Sequence, residues 1–168
     1  MPKIERIKKR HLLKKREQRD EIDKIEKELG SSITGLDAKS HIEEGILDDG
    51  SRILLLDGEI IFFQHEGRMF PALRALLNGL MDVPRITVDM GAVRFVVNGA
   101  DIMRPGITAI DDRVKKDGIV VIVDETHGKP LAVGVSKMSA EELRETTSGK
   151  VIKSIHHVND DLWVFGKV

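Results

Sequence analysis

The stretch RILLLDGEIIFFQ, Arg52 to Gln64, constrains this chain more than any other. Two apolar runs flank Asp57-Gly58, a dipeptide that supplies the two positive-φ residues of a type I′ turn, so the segment predicts a β-hairpin. Candidate helices lie on either side. EIDKIEKELG sets Ile22, Ile25 and Leu29 at helical spacing with Gly30 as the stop, predicting a helix from about Arg16 to Leu29. FPALRALLNG begins with a proline near the first helical turn and ends in Asn78-Gly79, with Leu73, Leu76, Leu77 and Leu80 on one side. It reads as a core helix closing a small α/β unit. The intervening SSITGLDAKSHIEEGILDDGS is punctuated by Ser, Gly and Asp and predicts loops around one short helix.

At Asp82-Val83-Pro84 the character changes to short β-branched runs, and proline biases the residue before it away from helix. A boundary there divides the chain into residues 1–84 and 85–168. In the second part ITVD, ADIMR, GIVVIVD, PLAVGVSKM and a last run from VIKSIHHV through DLWVFG read as strands of a small barrel or sandwich. Two helices interrupt them. Asp89 can cap MGAVRFVVN, with Val93, Val96 and Val97 inward and Gly99 in the left-handed position that ends it. Ser139 and Glu142 form a capping box for the other. Trp163, in the terminal run, is expected in the barrel core. The fold class is α+β.

The chain has 168 residues, 33% of them charged, and no cysteine, which excludes disulfides, thiolate nucleophiles and sulfur-ligated zinc. No apolar run approaches bilayer length and the N-terminus is charged, so a cytoplasmic protein without a membrane partner is expected. No catalytic constellation appears. Adjacent His156 and His157 point to opposite faces of a strand and cannot grip one metal, and Asp111-Asp112 and Asp160-Asp161 read as turn and capping residues. Phosphate-loop and dinucleotide fingerprints are absent. The expectation is a protein that is not an enzyme and has no cofactor.

Charge is near balance overall, at −1, but not locally. Between Met1 and Arg19 stand Lys3, Arg6, Lys8, Lys9, Arg10, Lys14, Lys15, Arg16 and Arg19 against Glu5 and Glu17 alone. Such a run is a solvated arm or helix face, or a site of phosphate attraction. The stretch NGADIMRPGI, Asn98 to Ile107, also has two accounts. One is structural, a helix cap followed by a strand and a tight turn. In the other, the bare Gly99-Ala100 corner leaves backbone amides open to a phosphate or base edge.

The run ITVDMGAVRFVVNGADIMRPGI, followed by VVIVDE, PLAVGVSKMSAEEL and HHVNDDLW, resembles a PUA domain, the RNA-binding module of pseudouridine synthases and archaeosine transglycosylases. GEIIFFQHEGRMFPALRALL resembles the pre-PUA domain of the malignant T-cell amplified sequence family, also called translation machinery-associated, which has stand-alone archaeal members. The resemblance implies a translation-associated factor that contacts the small ribosomal subunit or tRNA, with rRNA or tRNA as ligand and a translation-factor protein as partner. An accessory RNA-binding module of a tRNA- or rRNA-modifying enzyme and a protein–protein adaptor are the alternatives. Carried onto this chain, the RNA positions are Gly99, Ala100, Asp101, Ile102, Met103, Arg104, Pro105 and Gly106, with Ala132, Val133 and Gly134 alongside. Arg113, Lys115 and Lys116 are the further charges near the loop. Most of the six aromatic residues lie in apolar runs, so amides, shape and positive charge are expected to outweigh base stacking.

Overall fold

In the computed structural model, which describes residues 6–36 and 39–165, the chain begins with β1 (Ile7–Leu12), α1 (Lys15–Leu29), β2 (Ile42–Leu47), β3 (Arg52–Leu56), β4 (Glu59–His65), β5 (Arg68–Pro71) and α2 (Leu73–Leu77). Lys3 and Glu5 of the basic start lie outside the described residues. The hairpin forms as expected. Asp57 and Gly58 take φ of 51° and 80°, and β3 and β4 pair antiparallel across them. They are the middle of a five-stranded antiparallel sheet of order β1-β2-β3-β4-β5. Ile53 to Leu55 and Ile60 to Phe63 are all at most 1% exposed. Consecutive strand residues face opposite ways, so unbroken burial means both faces of these strands are covered. On one of them Arg52 bridges Glu44 of β2 and Glu21 of α1, fixing the helix over the sheet.

Three local expectations for this unit are corrected. The basic start is an edge strand, and the segment expected to hold a short helix contains β2, with Ile42 and Leu47 buried. Edge strand and neighbour satisfy each other's backbone groups, a non-local pairing that overrides weak local signals. Pro71 closes β5 instead of opening a helix, because Glu66 and Gly67, at φ 51° and 78°, turn the chain back one strand earlier. The helix then starts at Leu73, and Leu77 is 45% exposed rather than inward.

The remaining elements are β6 (Arg85–Val88), α3 (Met90–Val96), β7 (Ile102–Met103), a 3₁₀ turn (Arg104–Gly106), β8 (Ile107–Ile110), β9 (Ile119–Asp124), β10 (Pro130–Ser136), α4 (Ala140–Glu145), β11 (Lys150–His157) and α5 (Asp161–Phe165). Six strands make one sheet of order β7-β11-β10-β9-β6-β8, with β6 and β9 parallel. Its two edge strands are joined by the three residues of the 3₁₀ turn, so the sheet must curl upon itself. Ile86, Val88, Val120, Ile122, Val151 and Ile152 fill its interior at 0% exposure. The Ser139–Glu142 capping box is present on α4.

Val83–Asp160 form one compact unit, whereas Asp161–Phe165 group with the described residues up to Asp82 in the other. The expected terminal strand through Trp163 is therefore corrected to a helix. Asn159 adopts φ 71° and breaks β11, after which Leu162 is buried and the half-buried Trp163 stacks on Arg74 of α2, 4.4 Å from ring centre to guanidinium carbon. Arg74 also donates to the Trp163 carbonyl at 2.9 Å. Trp163 thus belongs to the N-terminal unit and not to the barrel core. No described helix is long and apolar enough to cross a membrane.

Candidate nucleic-acid interface

The Gly99-Ala100 corner is built by α3. The Asp89 carboxylate accepts from the Ala92 amide at 2.9 Å and starts the helix, and Val96 is buried with Val93 and Val97 packed beside it. At the other end Gly99, at φ 89°, lets its own amide donate to the Val96 carbonyl and the Ala100 amide to the Phe95 carbonyl, both at 3.0 Å. This is a Schellman cap. Both amides are consumed by it, so the expectation that they stand open to a phosphate is corrected. The glycine has a second reason: a Cβ at position 99 would lie 2.8 Å from His157 Nε2. That ring is held by a 2.8 Å contact from Nδ1 to the Val158 carbonyl, which can only accept, so Nδ1 carries the proton.

Several other candidate residues prove to be structural. Asp101 accepts from the Ser154 amide at 2.9 Å, and Ile102 is in the core. Arg104 donates to the carbonyls of Leu143 at 2.7 Å and Ile107 at 3.2 Å, which ties the 3₁₀ turn to α4 and occupies its guanidinium. Pro105 is exposed and Gly106 half-buried in that turn. Ala132 and Val133 are fully buried, and a Cβ at Gly134 would lie 2.7 Å from the Lys153 carbonyl, so this glycine serves close strand approach. Lys115 and Lys116 are exposed but distant from the corner along the sheet. Their turn bonds to Ser136 at one end of β10, whereas Gly99 lies against His157, the partner of Ala132. Four strand residues separate the two ends by about 13 Å.

Arg113 is bound to Asp111 at 2.8 Å, and this guanidinium, opposed by burial and aided by the Arg113 and Arg85 amides, holds the Asp111 carboxyl well below the usual carboxylate range. A depressed folded-state pKa gives stability that is complete above the ordinary carboxylate range and is lost as pH falls below it. Arg113→Gln should therefore flatten the acid limb of stability against pH, measured as unfolding midpoints between neutral pH and pH 3. An unchanged limb would refute the assignment.

What the corner does frame is a cleft of about 500 Å³ between α3 and β7. Gly91 and Ala92 of α3 and Gly106 supply small residues, Ala100 and Met103 supply one wall, and Lys150 stands beside Met103, its partner across the strands. Phe95 forms the other wall at 53% exposure, with the Arg94 guanidinium carbon 4.7 Å from its ring centre. The sequence reading assigned such aromatics to the core. Yet with Val93, Val96 and Val97 inward, helical spacing already turns Phe95 outward. Phe95, Lys150, Gly91 and Ala92 are the residues that reading missed. An apolar slot with an exposed ring and cations nearby can hold a flat ring attached to an anion.

His156 and Asp160 are a separate matter. His156 is 1% exposed and its Nδ1 lies 2.8 Å from Asp160 Oδ2, while the exposed side of the strand carries His157. Among the described residues no group of three or more His, Cys, Asp or Glu is placed to hold a metal.

Comparison with known proteins agrees with this architecture. Residues 84–158 match the PUA domain, and residues 9–78 match a domain of unknown function, DUF1947. An uncharacterized protein of Methanocaldococcus jannaschii is 39% identical over 95% of this chain and 98% of its own length. Translation machinery-associated protein 20 of Schizosaccharomyces pombe is 36% identical over 74% of this chain and 72% of its own. The crystal structure of a hypothetical protein from Pyrococcus horikoshii superposes with a TM-score of 0.77 at 30% identity, covering 94% of this chain and 99% of that one. With both halves matched, and a curled six-stranded sheet carrying the PUA match, the chain belongs to the family of PUA-domain proteins that includes translation machinery-associated protein 20 and the malignant T-cell-amplified sequence proteins.

Proposed function

We propose that this chain is a non-catalytic RNA-binding protein of the translation machinery, which takes an unstacked base of a tRNA or small-subunit rRNA into the cleft between α3 and β7. The observation that carries the reading is Phe95, a large ring left exposed on a helix whose opposite face is buried, at the mouth of an apolar slot. An aromatic in that position costs burial it could have had inside, and base stacking uses it. Lys150 and Arg94 supply charge for the adjoining phosphates. The PUA match and the names of the relatives support RNA and translation as its setting. Stacking on an exposed ring replaces the amide recognition that the sequence favoured, because the corner amides are already bonded.

Phe95→Ala should weaken binding of a labelled single-stranded RNA hexanucleotide by about 1–3 kcal/mol. Fluorescence anisotropy measures it, and the melting transition should stay in place because the ring is exposed. Equal affinity of mutant and wild type would overturn the cleft assignment. Co-sedimentation of the wild type with small ribosomal subunits, and its loss in the mutant, tests the translational setting.

A further inference from the structure

We infer that the exposed face formed by β1 and the first turns of α1 is a second RNA-contact surface, one that tracks the phosphates of a duplex. The inference rests on the RNA-binding reading but on different residues in the other unit. Strand β1 is a sheet edge, paired only with β2, and its bulge between Ile7 and Lys9 leaves Lys8 as the extra residue. Lys9 and His11 pair with Ile46 and Glu44, and Glu44 shares Arg52 with Glu21 of α1, so their side chains are on the side of the sheet that α1 covers. The chain then turns at Leu13, whose amide donates to the Ile42 carbonyl, and enters α1 with Lys15, Arg16 and Arg19 exposed.

Most of the nearby carboxylates are engaged elsewhere. Asp48 is taken by Arg6, Glu43 by Arg10, and Glu44 and Glu21 by Arg52, while Glu17 accepts from the Lys14 amide at the helix start. Among the described residues Lys8, Lys9, Lys15, Arg16 and Arg19 form no ion pair. A solvated face ordinarily mixes its signs, but here the acids of the neighbouring strand are bound to other arginines, and Lys8, Lys9, Lys15, Arg16 and Arg19 outnumber Glu17, Asp20 and Asp23 on the first turns of α1. Lys8 and Lys9 are carried by a strand fixed by its pairing with β2, and Lys15, Arg16 and Arg19 by a helix, so these cations are held in place, which suits the regular phosphates of a duplex better than a flexible acidic peptide.

The test uses the full chain and two probes, a mixed-sequence 20-base-pair RNA duplex and the single-stranded hexanucleotide. Replacing Lys8, Lys9, Lys15 and Arg16 together by Gln should lower the slope of log affinity against log salt for the duplex by up to about 3, near 0.7–0.9 for each phosphate no longer neutralised. Hexanucleotide affinity at fixed salt should hold within about twofold, and Phe95→Ala should show the reverse pattern. The combined Lys8→Arg, Lys9→Arg, Lys15→Arg and Arg16→Lys variant should keep the wild-type duplex slope. An unchanged slope in the folded Gln variant overturns the proposal, as does failure of the charge-conserving variant to keep it. Loss of binding to polyglutamate with no change on the duplex would assign the face to an acidic protein instead. Loss of the Phe95 effect alone would remove the cleft reading and leave this one standing.

Discussion

Gly99→Val should destabilise the C-terminal unit by about 2–5 kcal/mol, through backbone strain and a collision at the corner. At φ 89° a side chain costs about 1–2 kcal/mol in backbone strain, more for a β-branched one. The new Cβ would also meet His157 Nε2 at 2.8 Å, and overpacking adds about 1–3 kcal/mol. The two contributions separate experimentally. Gly99→Ala made in a His157→Ala background loses the collision and keeps the strain, so its cost should fall to about 1–2 kcal/mol relative to His157→Ala alone. Urea denaturation of the four proteins measures this. A Gly99→Val midpoint equal to the wild type would show that the corner is not held as described.

The legible parts of this chain were those whose cause is local. Helix α1 carries its own periodicity and its glycine stop, Asp57-Gly58 sets its own turn, and Ser139 and Glu142 cap α4 within four residues. Strand β1 was hidden because it depends on a partner more than thirty residues away, as with His11 and Glu44, and β2 because its acidic, glycine-broken IEEGIL carries little strand signal of its own. Five residues are too few for periodicity to separate helix from strand, and Trp163 was misplaced for that reason. The region around the candidate site was legible, since Ala100, Asp101, Ile102, Met103 and Gly106 all line the cleft. Individual roles were not. Arg104 looks like an available cation until its acceptor, the carbonyl of Leu143, is brought to it from 39 positions along the chain.

Asp160→Ala should cost about 2–5 kcal/mol. The carboxylate, in a residue 8% exposed, accepts from the His157 amide at 3.0 Å and lies 2.8 Å from Nδ1 of the buried His156. Its removal takes this acceptor from two donors that water does not readily reach, and each buried group so deprived costs about 1–3 kcal/mol. Asp160→Asn keeps one carbonyl oxygen at the site and should lose less than half as much. Calorimetric melting distinguishes the two variants, and equal losses would mean that charge, not an oxygen acceptor, is what β11 needs at its end.

Helix α5 has a consequence for how the polypeptide is made. Arg74 finds the Trp163 ring and carbonyl 89 positions further on, after the whole of Val83–Asp160 has intervened. Units ordinarily fold in the order in which they leave the ribosome. Here the N-terminal unit emerges first yet is finished last. Until residues 161–165 are released, α2 keeps a bare guanidinium where a tryptophan will stack, and the first half of the protein waits on the second to be synthesised before it is complete.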